Sequence, residues 1–160
     1  MNILFVCTGN TCRSPMAAEM MKNLDDDPLG SIKVKSAGTF APENMPATPE
    51  ATEVMEKRGM DIKRHRSQQF DADLAEWADL ILTMEAKHIE QIEAMVPDAE
   101  GKAHTLLAYG EYVDGYPGDG RYDIADPYGE PYEVYEACAN ALEAGIAKAV
   151  LRMASAKEAE

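Results

Sequence analysis

The chain has 160 residues, enough for one domain with a substantial core, and it carries 15 Lys and Arg against 29 Asp and Glu, a net charge of −14. Such an acidic chain repels nucleic acid and anionic membrane surfaces, because both are bound largely through neutralised phosphates, so neither is expected as a partner. Three cysteines are too few and odd in number for a disulfide framework, and neither they nor the three histidines show metal-ligand spacing. We therefore expect no metal and no cofactor. The start, MNILFVCTGN, lacks a basic region before its short apolar stretch, which favours a cytoplasmic protein, and we expect a monomer.

Strand and helix signals alternate along the chain, which indicates a parallel sheet with right-handed crossovers and helices on both faces. Short apolar runs predict strands at residues 2–7, 32–37, 79–84 and 104–107. Apolar residues at helical spacing predict helices at residues 14–24 and 132–154, and a further helix is predicted at about 86–95, ending at Pro97. A capping residue followed by Pro predicts a helix from about 48 to before Gly59, and Asp71 is predicted to cap a short helix at 71–77. The expected fold class is α/β: three layers around a four-stranded, twisted parallel sheet. Residues 1–160 form one domain, with a frayed tail at about 155–160.

The C-terminal third combines a long loop with a long helix. Residues 109–131 are rich in Gly, Pro, Asp and Tyr and are predicted to be a loop, of a length that is usually functional or disordered. Apolar residues at four-residue steps predict the buried face of the last helix: Val134, Cys138, Leu142, Ile146 and Val150. Trp77 and the many Met residues are also assigned to the core.

The segment Cys7–Ser14 (CTGNTCRS) lies between the first strand and the first helix, at the edge of the sheet where parallel α/β folds bind ligands. Gly9 and Asn10 tolerate positive φ, so the backbone can curl until several N–H groups point at one anion. The helix that follows adds its positive N-terminus, and Arg13 offers a planar fork for two phosphate oxygens. Cys7 faces the same groups, which favours its thiolate form.

A phosphate loop with a thiolate nucleophile is the interpretation that explains the whole segment. Ser14 could donate a hydrogen bond to the thiolate, and the residues predicted to bind phosphate are Thr8, Gly9, Asn10, Thr11, Cys12, Arg13 and Ser14. A lone C-x5-R match occurs by chance, and a Cys that ends a buried strand is commonly inert. Here, however, the strand, the glycine-bearing loop, the Arg-Ser pair and Pro15 at the helix start coincide. A nucleotide-binding loop is disfavoured because no Walker pattern and no G-x-G-x-x-G is present. The sequence predicts a cysteine-dependent phosphatase.

The run VCTGNTCRSPMAAE resembles the signature of the low-molecular-weight protein tyrosine phosphatase family. The resemblance continues in order through SAGT (36–39), HRSQQ (65–69), ILTME (81–85) and DPYG (126–129), so it covers nearly the whole chain. It implies that family's fold and makes Asp126 the general acid and base. Without it, Asp126 is one of 29 carboxylates in a common Asp-Pro turn. The implied catalytic residues are Cys7, Arg13 and Asp126, working through a cysteinyl-phosphate without a metal.

The resemblance also implies roles for residues that have ordinary explanations by themselves. Asn10, Ser36 and His65 match positions that brace the loop through hydrogen bonds, as Ser14 does from within it. Taken alone, the three are a turn residue, a strand-end Ser and a surface His. Tyr128 matches a residue that lines the substrate slot, and its alternative is loop packing.

The substrate depends on Thr11. Tyrosine-directed members usually carry a bulky aliphatic residue here, a flat wall for a phenyl ring, whereas Thr with DPYG resembles the bacterial protein-arginine phosphatases. Thr leaves more room, and its hydroxyl can engage a guanidinium nitrogen or a water. Acidic candidates at the mouth (Glu85, Asp123 and Asp126) would also favour a cationic guanidinium. Phosphoarginine in phosphorylated proteins is the favoured substrate, with phosphotyrosine as the alternative if Thr11 is only a tolerated variant.

The remaining cysteines bear on redox chemistry and on two rival functions. Cys12 could close a reversible disulfide on Cys7 and protect it from overoxidation, whereas Cys138 is assigned to the core. Arsenate reductases share a similar loop but need a downstream pair of cysteines, and only Cys138 follows the loop. A non-catalytic phosphate-binding module would need neither Cys7 nor Asp126, so their joint presence argues against it.

Overall fold

Four strands form a parallel sheet at the centre of the protein, in a computed structural model that describes residues 1–25, 27, 29–115 and 117–160. The strands are β1 (Asn2–Cys7), β2 (Lys33–Gly38), β3 (Leu80–Thr83) and β4 (Ala103–Thr105). Their order is β2-β1-β3-β4, and β1 pairs in parallel with both neighbours. The apolar run of β1 is buried on both faces of the sheet, as expected for a central parallel strand.

Helices cover both faces of this sheet, which confirms the predicted three-layer α/β fold. The helices are α1 (Arg13–Lys22), α2 (Pro49–Lys57), α3 (Ala72–Trp77), α4 (Ala86–Met95), α5 (Leu106–Gly110) and α6 (Tyr132–Glu158), with a 3-10 turn at Pro97–Ala99. Alternate residues of β1 enter two separate cores. Ile3 and Phe5 pack with α1, α2, α5 and α6, whereas Leu4 and Val6 pack with α3 and α4.

The chain between β4 and the long loop differs from the sequence prediction. The strand predicted at 104–107 ends at Thr105, and the loop predicted from 109 begins only after a short helix, α5. The reason is a cap: the Thr105 hydroxyl accepts a hydrogen bond from the Ala108 amide at 3.2 Å, which turns the two leucines after it into a helix. Leu106 is thereby buried in the core rather than paired in the sheet.

The apolar stripe predicted for α6 was wrong at both ends. Each four-residue step advances about 40° around a helix, so a stripe at uniform steps drifts away from the core. Val134 is exposed and Val150 only half-buried, although Cys138, Leu142 and Ile146 are in the core as predicted. Steps of three and four residues describe the buried face: Tyr135, Cys138, Ala139, Leu142, Gly145, Ile146, Ala149 and Met153. The helix also continues to Glu158, four residues past its predicted end.

Two smaller core assignments also change. Trp77 is half-buried at the edge of the sheet, with the Lys35 ammonium 4.3 Å above its ring centre. Most Met residues are buried, but Met1, Met45 and Met95 are exposed. The capping residue predicted for α3 is present, because the Asp71 carboxylate accepts from the Leu74 amide at 2.9 Å. No helix in the described ranges is long and apolar enough to cross a membrane.

Candidate active site

The loop after β1 is held in place by a close backbone approach at the end of β2. Cys7 and Gly38 are partners in the sheet register, and the amides of Thr39 and Phe40 donate to the carbonyls of Cys7 and Thr8 at 2.9 and 3.0 Å. A Cβ atom at Gly38 would lie 2.3 Å from the Thr8 carbonyl oxygen, a distance that no side chain can adopt. Glycine is therefore required at this position. The sequence analysis used SAGT for the family resemblance and predicted that the strand ends before Gly38, but it missed this requirement for glycine.

The turn of the loop is made at Asn10, which has a φ of 55°. Positive φ was predicted for both Gly9 and Asn10, but Gly9 does not adopt it. Asn10 is fully buried, and its side-chain amide donates to the hydroxyls of Ser14 and Ser36 at 2.8 and 3.0 Å. Its side-chain oxygen accepts from the Gln68 amide at 3.0 Å. These bonds fix the left-handed residue, since Asn tolerates that region better than most other non-glycine residues.

His65 holds the same turn from outside. Its Nε2 lies 2.6 Å from the carbonyl oxygen of Asn10, so the ring nitrogen must donate there. Burial lowers the pKa of His65, and its hydrogen bond to the Asn10 carbonyl only partly opposes this effect. The structure thus brings His65, Ser36 and Ser14 together around Asn10.

Cys7 is buried at the bottom of the loop with two polar neighbours. Its Sγ lies 2.9 Å from the Ser14 hydroxyl and accepts from the Asn10 amide at 3.3 Å. Since Ser14 already accepts a hydrogen bond from Asn10, its own hydrogen is left to donate. The thiol sulfur is the closer acceptor, because the alternative carbonyl of Ala37 lies at 3.4 Å. The sulfur of Cys7 is thus the acceptor in both contacts.

Arg13 is the largest fully buried side chain, and only part of its guanidinium is occupied. Nη1 donates to Glu85 Oε2 at 2.5 Å and to the Ile124 carbonyl at 2.7 Å. Nη2 lies 3.6 Å from Asp126 Oδ2, and the buried Nε has no hydrogen-bond partner among the described residues. Burial acts to lower the pKa of Arg13, but the nearby negative charges of Cys7, Glu85 and Asp126 outweigh it and raise the pKa.

The loop that carries Asp126 is anchored two and three residues earlier. The Ile124 amide donates to the Met84 carbonyl at 2.8 Å, and Asp123 Oδ1 accepts from the Ala86 amide at 2.9 Å. Glu85 and Asp123 were predicted at the pocket mouth, but neither lines the pocket. Glu85 holds Arg13, and Asp123 binds the first turn of α4, so Asp126 is the acidic residue that faces the pocket.

The pocket has a volume of about 440 Å³ and is open to solvent above Cys7. Thr11 and Tyr128, both predicted to contact substrate, line it together with Asp126. The sequence analysis missed one wall of the pocket, which consists of Pro42, Met45, Pro46, Ala47, Thr48 and Pro49. The two prolines between SAGT and α2, and the third at the start of α2, were a usable signal. The other lining residues belong to the phosphate loop: Cys7, Thr8, Gly9, Cys12 and Arg13.

All three cysteines are free thiols and all three are buried. Cys12 Sγ lies 3.5 Å from the Tyr135 hydroxyl and 3.6 Å from that of Thr48, and burial raises its pKa. Cys138 is in the core on α6, as predicted, and burial raises its pKa to about 12. A disulfide between Cys7 and Cys12 stays a prediction.

His88 is a buried polar residue that sequence reasoning missed. Its Nε2 lies 2.9 Å from the Thr8 hydroxyl, and its Nδ1 accepts from the Glu85 amide at 3.1 Å. Burial, reinforced by the charges of Arg13 and Lys87, lowers the pKa of His88 to about 3. A weak signal existed: His88 is the third residue of α4, where a side chain can reach back to the residue before the helix.

A buried thiol, a buried arginine and a carboxylate thus meet at the carboxyl end of a parallel sheet, an arrangement that could hold a phosphoryl group beside a sulfur nucleophile. The chain matches the model of the low molecular weight phosphotyrosine protein phosphatase family over residues 2–159. It is 43% identical over 141 residues to a protein-arginine-phosphatase of Geobacillus stearothermophilus, covering 88% of each chain. The chain belongs to this family and is a hydrolase of the protein phosphatase class. The family and the enzyme class predicted from the sequence are therefore confirmed.

Solved structures show the same likeness in three dimensions. The YwlE arginine phosphatase from Geobacillus stearothermophilus superimposes with a TM-score of 0.87 at 38% identity, covering 99% of this chain and 96% of the other. A low molecular weight protein tyrosine phosphatase from T. tengcongensis gives a TM-score of 0.82 at 42% identity, covering 95% of this chain and 99% of the other. Proteins described as arginine phosphatases and as tyrosine phosphatases therefore share this fold and similar levels of identity.

Proposed function

We propose that this protein removes the phosphoryl group from phosphoarginine in proteins, through a cysteinyl-phosphate on Cys7. The observation that carries the proposal is the state of Arg13. Glu85 and Ile124 occupy Nη1, whereas Nε has no hydrogen-bond partner among the described residues and Nη2 has only Asp126 Oδ2 nearby, at 3.6 Å. The edge formed by Nε and Nη2 is the fork that binds two oxygens of a phosphoryl group side by side.

The proposed reaction has two steps. The Cys7 thiolate attacks phosphorus, so that the S–P bond forms while the P–N bond of phosphoarginine breaks, and Asp126 gives its proton to the departing nitrogen. Asp126, now a carboxylate, then takes a proton from a water that attacks phosphorus and breaks the S–P bond. Arg13 and the amides of residues 8–14 stabilise the charge on the phosphoryl oxygens in both steps. Asn10, Ser14, Ser36 and His65 hold the loop in shape through the hydrogen bonds described above.

Phosphoarginine is favoured over phosphotyrosine by the shape and polarity of the pocket. Thr11 lines it with a small side chain and with a hydroxyl that can engage a guanidinium nitrogen. The relative with 43% identity is described as a protein-arginine-phosphatase. One observation favours phosphotyrosine instead: the wall around Met45 and Pro46 and the exposed ring of Tyr128 offer apolar surface to a phenyl ring.

A specificity comparison decides between these substrates. We expect the wild type to prefer a phosphoarginine peptide over the matched phosphotyrosine peptide in kcat/KM. Thr11→Ile fills the space beside the loop and removes the hydroxyl, so the ratio should move toward phosphotyrosine by about tenfold or more, as for a lost hydrogen bond to a charged group. Thr11→Ser, which keeps the hydroxyl, is the matched control and should stay on the arginine side.

The same assay separates catalysis from mere binding. Cys7→Ser should lose turnover on both peptides but retain oxyanion binding, because the amides and Arg13 remain. A wild type that prefers phosphotyrosine would refute the arginine assignment, as would a ratio unchanged by Thr11→Ile. Turnover that survives Cys7→Ser would refute the cysteinyl-phosphate.

The setting in which the enzyme works rests on the sequence alone. Phosphorylated proteins are the proposed partners, and the net charge of −14 argues against nucleic acid and anionic membranes. A cytoplasmic location, a monomeric state and the lack of any metal or cofactor stay predictions.

A further inference from the structure

The Thr8 hydroxyl forms a hydrogen bond with a buried histidine, and the direction of this bond can be assigned. Thr8 follows the nucleophile directly and lines the pocket, and its Oγ1 lies 2.9 Å from Nε2 of the fully buried His88. In the reaction described above Thr8 contributes only its backbone amide, and His88 has no role. The question is which of the two atoms carries the hydrogen between them.

The backbone amide of the residue before α4 decides the direction of this hydrogen bond. The Glu85 amide donates to Nδ1 of His88 at 3.1 Å, so Nδ1 must be unprotonated. A neutral imidazole then carries its hydrogen on Nε2, and this hydrogen is donated to Thr8 Oγ1. The neutral form is the stable one here because burial disfavours the charge and Arg13 and Lys87 are close by.

A hydroxyl that accepts from His88 keeps its own hydrogen for another acceptor. No other partner of Thr8 Oγ1 occurs within the described parts of the chain. The acceptors that enter the pocket during the proposed reaction are the phosphoryl oxygens, which are negatively charged and numerous.

We propose that Thr8 donates a hydrogen bond to a phosphoryl oxygen of the substrate and that His88 is the positioning residue that orients it. This inference rests on the proposed function for the identity of the ligand. It adds a side-chain donor to the amides and Arg13, and it gives the buried His88 a role at the site 80 residues away from Thr8 along the chain.

Binding of inorganic phosphate, measured by titration calorimetry, tests the donor directly. Thr8→Val keeps the shape and removes the hydroxyl, and it should weaken phosphate binding by roughly tenfold to a hundredfold, the usual effect of a lost hydrogen bond to a charged group. Thr8→Ser keeps the donor and should bind within about threefold of the wild type. Equal affinities for the Val and Ser variants would overturn the proposal.

A double-mutant cycle tests His88 apart from any loss of stability. His88→Asn keeps an acceptor for the Glu85 amide but cannot reach Thr8, whereas His88→Gln restores a donor at greater reach. In the wild-type background His88→Asn should weaken phosphate binding by about fivefold or more and His88→Gln should recover most of it; in the Thr8→Val background His88→Asn should have no further effect. Additive losses, or no recovery by Gln, would overturn the positioning role.

Hydrolysis of p-nitrophenyl phosphate, measured alongside, distinguishes the two proposals. If the wild type hydrolyses the ester through Cys7 but phosphate affinity ignores Thr8, the donor is wrong and the phosphatase stands. If phosphate affinity depends on Thr8 but no Cys7-dependent hydrolysis occurs, the donor stands and the phosphatase falls. If the wild type binds no phosphate, both are wrong.

Discussion

Asn10 and His88 hold the phosphate loop from two sides, and both are fully buried. They differ in how readily their roles can be predicted from the sequence. Asn10 is part of the loop motif, so its importance follows from eight consecutive residues. His88 meets Thr8 across 80 positions and Glu85 meets Arg13 across 72, separations at which only the folded chain shows who the partner is. Cys7 and Arg13 were predicted because their chemistry and their spacing lie within one short segment.

The pH dependence of stability reports the state of His88. Its pKa is about 3 in the folded protein against 6.5 when unfolded, so below pH 6.5 the unfolded chain takes up a proton that the native state does not. Stability is thus full above that pH and is lost as the pH falls towards 3. Chemical denaturation should show a loss between pH 7.5 and pH 5 that is about 2 kcal/mol greater for the wild type than for His88→Gln.

The comparison with the variant removes the other titrating groups from this measurement. Burial also lowers the pKa of His65 and of His104, and both remain in His88→Gln. The difference between the two slopes therefore belongs to His88. Parallel slopes would mean that the native ring takes up its proton at the same pH as the unfolded one, which would contradict the lowered pKa of His88.

Among the elements, α4 does more at the site than its position after β3 suggests. Its first turn carries His88, binds Asp123 from the long loop and follows Glu85 directly. Most elements were predicted because their apolar spacing is regular. The errors lie where one local bond or a change of step overrides the pattern, as at the Thr105 cap and along the drifting face of α6.

The link between α4 and the long loop should control the general acid. Asp123→Ala removes the bond to the Ala86 amide and frees the segment that places Asp126. We expect kcat to fall about tenfold for phenyl phosphate and much less for p-nitrophenyl phosphate, because the better leaving group needs less help from a proton donor.

Asp123→Asn retains an oxygen that can accept the same bond, and it should keep most of the activity. Denaturation of Asp123→Ala is expected to show a loss of about 1 kcal/mol, typical of a lost bond at a helix start. An equal loss on both esters would show that Asp123 supports the loop without acting through Asp126.

At the scale of the whole molecule, the protein carries a net charge of −14, but its proposed substrate carries a phosphoryl dianion. The site can still bind this dianion, because one buried arginine and the backbone amides supply the charge stabilisation locally. Farther out the acidic surface remains, so a substrate segment with flanking Lys or Arg is attracted and one with flanking Glu is repelled.

Salt should reveal this long-range effect. For two phosphoarginine peptides that differ only in Lys or Glu flanks, kcat/KM should favour the basic one by about tenfold at low ionic strength. The preference should shrink as NaCl rises to about 0.3 M, where charges more than a few ångströms apart are screened. A peptide with neutral flanks serves as the reference. A preference that does not change with salt would place the discrimination in direct contacts instead.

The contact between Gly38 and the Thr8 carbonyl has a consequence for redesign. Backbone meets backbone there, so position 38, which supports the loop from beneath, has no room for a side chain. The opposite side, residues 42–49, consists of side chains on a connection that tolerates change. A mutant library meant to change which leaving groups the pocket accepts should therefore vary residues 42–49 and leave β2 unchanged. Any side chain at Gly38 would prevent the loop after β1 from packing against the end of β2.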